Sequence, residues 1–303
     1  MPASNLLRIC VEGSSMATER NNGYSIEDED KESLIASAVD FAFESMPLAD
    51  DPPVIWDPRP HWRVENQGSV GRCAGMAASS VAEICYHRQL PGADRLFRVD
   101  KWIHFNGHFS YIRAQSRTKR LYGRDRGSTI HSNVLAAKED GFCPIDWNGD
   151  GTVDYPMPRR YTTKLPEGAM DLAQTYKVGY HAYLETFDGI LQFLRSGQGG
   201  VFVGGPWGKW RPRNGVCNTF KGGGSGHAWA ILGWDISRQT VNEDVLLAVN
   251  SHGKRSWTQG WTQLTRNFIR QFADHPHTVI AGMSDLSGPE PRKIQWRDDL
   301  QWV

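Results

Sequence analysis

The 303-residue chain lacks a charge of either sign in excess, since Lys+Arg and Asp+Glu each number 34. A balanced count supplies no field that would favour nucleic acid or an anionic membrane surface, so neither partner is expected. Long apolar runs are missing too. The longest, such as Ala228 to Trp234, are strand-sized, far short of the roughly 18 residues a membrane span needs. The opening residues, Met1 to Cys10, show no basic stretch followed by a sustained apolar one. No secretory signal is seen, and a cytoplasmic or virion-associated location is expected. Cysteine is sparse: Cys10, Cys73, Cys85, Cys143 and Cys217 form an odd, scattered set without metal-ligand spacing. Reduced thiols are expected rather than a disulfide framework, which leaves a thiol available as a nucleophile.

What is present reads as a folded protein, with 39% hydrophobic and 11% aromatic residues. Residues 1–52 form a partly acidic arm, with a short helical pattern through Ile35, Val39 and Phe43. Prolines at 52, 53, 58 and 60 mark the start of the domain proper, expected over 53–283. Helical periods cover Ala74 to Gln89, Phe109 to Lys119, Ile130 to Glu139 and Phe187 to Ser196, the last two halted by Gly141 and Gly197. Strand patterns follow at Gly199 to Val203, His227 to Asp235 and Val245 to Asn250. The architecture expected is α+β, with a mainly helical lobe over about 53–175 and an antiparallel β lobe over about 176–283. Residues 284–303, with Trp296 and Trp302, form a charged tail.

Chemistry concentrates at three places. Asn66 to Arg72 is a glycine-containing loop that delivers Cys73 to a helix start, where unpaired N–H groups and the helix dipole favour a thiolate and lower its pKa. Gln67 supplies an amide able to donate to a developing oxyanion, and Gly71 lets a bound carbonyl approach the backbone. Downstream, Gly222 to Gly226 leads into His227, which can act as the base. A hairpin turning at residues 238 and 239 would set Asn250 opposite His227, where an amide oxygen can orient the imidazole.

These blocks resemble the papain family of cysteine peptidases, and its propeptide-less bacterial branch in particular. The frame from Gln67 to Cys73 matches the family's oxyanion-glutamine and cysteine spacing. His227-Ala228-Trp229-Ala230-Ile231-Leu232-Gly233-Trp234 is similar to its histidine strand, and Asn250-Ser251-His252-Gly253 with Trp257 and Gly260-Trp261 to its asparagine block. Two more stretches, Gly127 to Pro144 and Phe187 to Val203, extend the likeness over roughly 53–283. The resemblance implies a papain-like two-lobe fold with a cleft between the lobes. It implies Cys73, His227, Asn250 and Gln67 as catalytic residues, and Gly71, Gly127, Ser128, Gly226 and Trp257 as substrate contacts. No cofactor is implied, and the partner is a peptide or protein substrate.

The sequence also departs from the family. Ala74 replaces the tryptophan after the cysteine, and His252 replaces the tryptophan that shields the His-Asn bond, with Trp257 placed to compensate. No inhibitory pro-region is recognisable. Asp146 to Asp154 begins like a calcium loop, yet its twelfth position is Met157, which favours a surface turn. Asn106-Gly107 between His104 and His108 argues against a helical metal pair. The expected function is a cysteine-type endo- or exopeptidase. A second reading is a papain-like scaffold in a larger assembly such as a phage virion, with little or no turnover and partners held through the arm or tail.

Overall fold

The structure is a computed structural model that describes residues 24–25, 30–37, 52–89, 103–146, 157–197, 199–208, 212–239 and 242–288. Along the chain these residues form α1 (Lys31–Ser37), β1 (Ile55–Trp56), α2 (Cys73–Arg88), α3 (Gly107–Gln115), α4 (Ile130–Glu139), α5 (Ala169–Ala173) and β2 (Val178–Tyr183). They continue as α6 (Phe187–Arg195), β3 (Gly199–Trp207), β4 (Val216–Cys217), β5 (Ser225–Asp235), β6 (Val245–Val249), β7 (Trp261–Thr265), α7 (Arg266–Ala273) and β8 (Val279–Leu286). The expected α+β order, helices first and an antiparallel sheet after, is observed. Most of the calcium-like stretch (147–156), Cys10, Val39, Phe43 and both tail tryptophans lie outside the described residues.

The organising element is α2. Every residue from Cys73 to His87 is buried, and its alanines and small polar side chains give it no strongly preferred face. A helix apolar all round belongs at the centre of a core. Here α2 packs on α3 on one side and on β3, β5 and β8 on the other. Gly75 and Gly107 permit the α2–α3 crossing: a Cβ on Gly75 would sit 2.5 Å from the Gly107 carbonyl oxygen and 2.6 Å from the Tyr111 amide.

Local signals explain the other helix boundaries. Asn106 caps α3 by accepting from the His108 and Phe109 amides, so Asn106-Gly107 begins a helix rather than making only a turn. Thr129 and Ser132 form a reciprocal capping box on α4, and Thr186 and Thr265 cap α6 and α7. Gly141 and Gly197 take φ of 82° and 78°, the left-handed conformation that ends a helix.

The sheet runs in the order β2-β8-β3-β5-β6-β7-β4, with β1 paired to β5. All its pairings are antiparallel except β4 with β7. β5 lies near the middle and is buried from Gly226 to Asp235, paired with β3 and β1 on one side and β6 on the other. β8 continues through Leu286, so the chain stays in the sheet past residue 283, where the tail was expected to begin. Among the described residues no helix is long and apolar enough to cross a membrane.

Substituting Gly75→Ala should drive a methyl into the α3 backbone. Urea denaturation is expected to report a loss of about 1–3 kcal/mol, the usual cost of overpacking, and an unchanged midpoint would refute the close crossing.

Candidate active site

Cys73 is the first residue of α2, and the first intrahelical bond runs from the Met76 amide to the Arg72 carbonyl. The amides of Cys73, Ala74 and Gly75 therefore lie ahead of the helical ladder and point towards the cleft end of the helix. The Cys73 Sγ accepts a hydrogen bond from the Ala228 amide at 3.3 Å. Ala228 directly follows His227, so one backbone bond ties the thiol to the strand that carries the imidazole. The sequence-based expectation of a lowered thiol pKa is not met. Burial pushes the Cys73 thiol up to about 12, outweighing the backbone donors of Ala228, Ala74 and Cys73 itself.

Gln67 is buried and joined to the segment after β6. Its amide N–H donates to the Ser251 carbonyl at 2.7 Å, and the Ser251 hydroxyl donates to Gln67 Oε1 at 2.7 Å. Gln67 Nε2 donates to the Val70 carbonyl at 3.1 Å. An amide nitrogen carries two hydrogens, the donor chemistry an oxyanion calls for. On either side, Asn66 bridges His252, and the Gly253 amide donates to the Glu65 carbonyl. The loop before Cys73 and the block after Asn250 are thus one connected unit.

The hairpin register expected from sequence needs correction. β5 and β6 pair Ala230 with Val249 and Ile231 with Ala248, with a bulge between Ile231 and Gly233. Continuing that register sets Asn250 opposite Trp229, two residues from the expected His227. In the described part of the connection, Ser237 donates to Asp235 from both its amide and its hydroxyl, and Arg238 pairs with Asp244. An error of two keeps Asn250 on the His227 face, because side-chain direction alternates with period two. Asn250 Oδ1 accepts from the His252 amide at 2.6 Å and Nδ2 donates to the Ser256 hydroxyl at 3.1 Å.

Aromatic rings enclose the His227 imidazole. Trp207 meets it edge-on and His252 stacks on it, each with ring centroids 4.3 Å away. Trp257, which sequence reading offered as the shield, instead lies against Trp207 at 5.9 Å and Trp229 at 6.4 Å. Gly226 is buried in the β3–β5 ladder opposite Pro206.

On the other side of the cleft, a polar network holds the segment containing Gly127. Asp125 Oδ1 accepts from the Gly71 amide at 2.8 Å and the Tyr111 hydroxyl at 2.9 Å. The Gly127 amide donates to Tyr111, and its carbonyl accepts from Gln115 Nε2 at 2.8 Å. Both backbone groups of Gly127 are therefore used internally. Ser128 is buried, its hydroxyl accepting from Asn133 and its carbonyl from the Ser25 amide at 3.2 Å. Tyr24 forms a parallel bridge with Ser128 and lays its ring against Ile130 and Gly204, where a Cβ would come within 2.6 Å of it. Gly204 pairs with Ala228, the residue whose amide reaches Cys73. The arm thus enters the neighbourhood where the sequence reading placed substrate.

Compared with solved structures, the chain overlays xylellain, a cysteine protease from Xylella fastidiosa, with a TM-score of 0.59 at 17% identity, covering 88% of this chain and 97% of that one. It is similar to procathepsin B S9 of Trypanosoma congolense, TM-score 0.57 at 15% identity over 88% and 87% of the chains. A clostridial cysteine protease, Cwp84, gives 0.58 at 15% identity over 78% and 58%. This is the papain-like fold. No protein-family model and no curated protein matches the chain by sequence.

Within the papain-like frame, one group lacks a sequence signal. Glu65 is buried, neither carboxylate oxygen has a hydrogen-bond partner among the described residues, and it lines a cavity of about 10 Å³ with Ser80, Asn250 and Ser251. That volume suits one water molecule. Burial, reinforced by Glu83, raises the Glu65 pKa to about 8. At neutral pH the group is held mainly as the acid, able to donate. Nearby, Glu83 accepts from the Phe105 amide and lies 3.2 Å from His104 Nδ1, while burial lowers the His104 pKa to about 3. Trp207, Asp125, Tyr111 and Gln115 also shape the site without any short motif to announce them. Only the fold brings them to it.

A carboxyl whose folded pKa lies above its ordinary value of 4.5 contributes stability that is complete below about 4.5 and lost as pH rises through about 8. Glu65→Gln should therefore flatten the fall in melting temperature between those limits relative to the parent protein. Parallel pH profiles of the two proteins would contradict the assignment.

Proposed function

We propose that this chain is a cysteine peptidase that cleaves peptide bonds through Cys73, His227 and Asn250, with Gln67 stabilising the oxyanion. The observation that carries the reading is the Cys73 thiol at the start of a buried helix, bonded by the amide next to His227. The papain-like fold supports the same reading.

Burial favours the neutral Cys73 thiol in the unliganded protein. His227 takes the Cys73 proton as Sγ bonds to the substrate carbonyl carbon, and the carbonyl oxygen becomes the oxyanion. In this mechanism Gln67 Nε2 and the amide at the α2 start donate to that oxygen. Collapse breaks the C–N bond, and the imidazolium passes its proton to the departing amine, leaving a thioester. His227 then activates a water that attacks the thioester, and the thiol recovers its proton. Asn250 Oδ1 has two lone pairs, one engaged by the His252 amide, which leaves one for the imidazole N–H.

In this reading Tyr24 and Ser25 hold part of the substrate's place at Ser128, Ile130 and Gly204, and access requires the arm to leave. The unliganded enzyme is then restrained by the fraction of molecules in which the cleft is open.

Cys73→Ser and His227→Ala should each lower kcat/KM on a broad peptide library by about a thousandfold or more, and an unaltered rate in either would refute the mechanism. Tyr24→Ala should raise kcat/KM by roughly tenfold by weakening the arm's hold. Absence of turnover in both the parent protein and Tyr24→Ala would instead favour the scaffold reading, with the arm or tail serving an assembly partner.

A further inference from the structure

The loop between β6 and β7 is bent into an unusual shape. Gly253, Trp257, Gln259 and Gly260 all take left-handed φ, at 75°, 50°, 54° and 88°. For a bulky indole that conformation costs on the order of 1 kcal/mol and persists only where the surroundings enforce it. The enforcement is visible: the Gly260 amide donates to the Ser256 carbonyl at 2.6 Å, Thr258 and Trp261 exchange backbone bonds, and the Ser256 hydroxyl accepts from Asn250. The strained Trp257 lies against Trp207, ring centroids 5.9 Å apart, and both line a recess of about 510 Å³ together with His252, Arg255, Ser256 and Thr258.

Two walls of this recess, Trp207 and His252, are the rings that contact His227. In the hydrolysis proposed above, the departing amine receives its proton from that imidazole, so the segment on the amine side of the scissile bond must lie against the imidazole's surroundings. The recess occupies that position. Burial lowers the His252 pKa, so this ring is neutral at pH 7. Arg255 is exposed at the rim with no ion pair to a described residue, and no carboxylate lines the recess among the described residues.

Resting on the peptidase reading, we infer that this recess binds the leaving segment of the substrate, and that Arg255 makes it selective for a carboxylate there. The carboxylate can come from an Asp or Glu side chain just after the scissile bond, or from the free C-terminus of a short leaving segment. A guanidinium suits either, presenting paired donors to two oxygens.

Two matched pairs of internally quenched peptides separate these sources: Glu against Gln at the first leaving position, and a free C-terminal acid against its amide two residues beyond the bond. The parent protein should prefer the charged member of at least one pair by about fivefold in kcat/KM at low salt, the preference shrinking as salt is added. Arg255→Met should bring that ratio close to one, while Arg255→Lys should keep part of it. Ratios of one in both pairs for the parent protein, or a ratio that survives in Arg255→Met, would overturn the inference. If no peptide is cleaved, the peptidase reading fails by itself. The same four peptides are then titrated against Cys73→Ala by tryptophan fluorescence, where tighter binding of a charged member supports the recess assignment and equal affinities refute it.

Discussion

The hydrogen bond from the Ala228 amide to the Cys73 thiol joins the two halves of this molecule at its functional point. It exists because a helix buried on every side is pressed against the middle of a sheet, and because Ala228 lies in a strand held by neighbours on both edges. Without the α2–β5 contact, the thiol would sit on one layer and the imidazole on another with nothing to fix their separation. The dense packing of the core is therefore also what positions the chemistry.

The same burial sets the electrostatic character of the site. A helix start and three amide donors favour a thiolate, but desolvation of a fully buried sulfur is the larger effect and keeps the proton on. Glu65, on the connected loop, responds likewise: an unpartnered buried carboxylate would be costly, so the group is held as the acid. Burial favours the neutral form of both groups, and the Glu65 loop is bonded to the segment that follows Asn250.

The cleft is shaped from three directions. A polar network through Tyr111, Gln115 and Asp125 fixes the Gly71 and Gly127 segments, while the strained loop after β6 turns Trp257 towards Trp207. The arm contributes Tyr24, whose ring takes the space left by the missing side chain of Gly204. An acidic stretch of sequence thus supplies a buried aromatic contact to the core beside β3. Arms of this composition give no periodicity from which such a contact could be foreseen.

Local chemistry in the sequence was enough to place most elements. Alternation, helical period, caps and glycine stops depend on a residue and its near neighbours, so α2, α4 and α6 lie within a residue or so of expectation, as do the positions of Cys73 at the start of α2 and His227 near the start of β5. Whatever depended on distant contacts was not legible. The β5–β6 register shifted by two because the loop and the bulge, rather than a tight turn, set it. The thiol pKa went the opposite way because desolvation depends on everything packed around the sulfur. Trp207, Glu65 and Tyr24 reached the site only through the fold. Sequence alone determined which residues have the chemistry and which elements carry them. Tertiary structure decided their protonation, their enclosure and the packing of Tyr24 at Gly204, because solvation and packing are properties of the assembled surroundings.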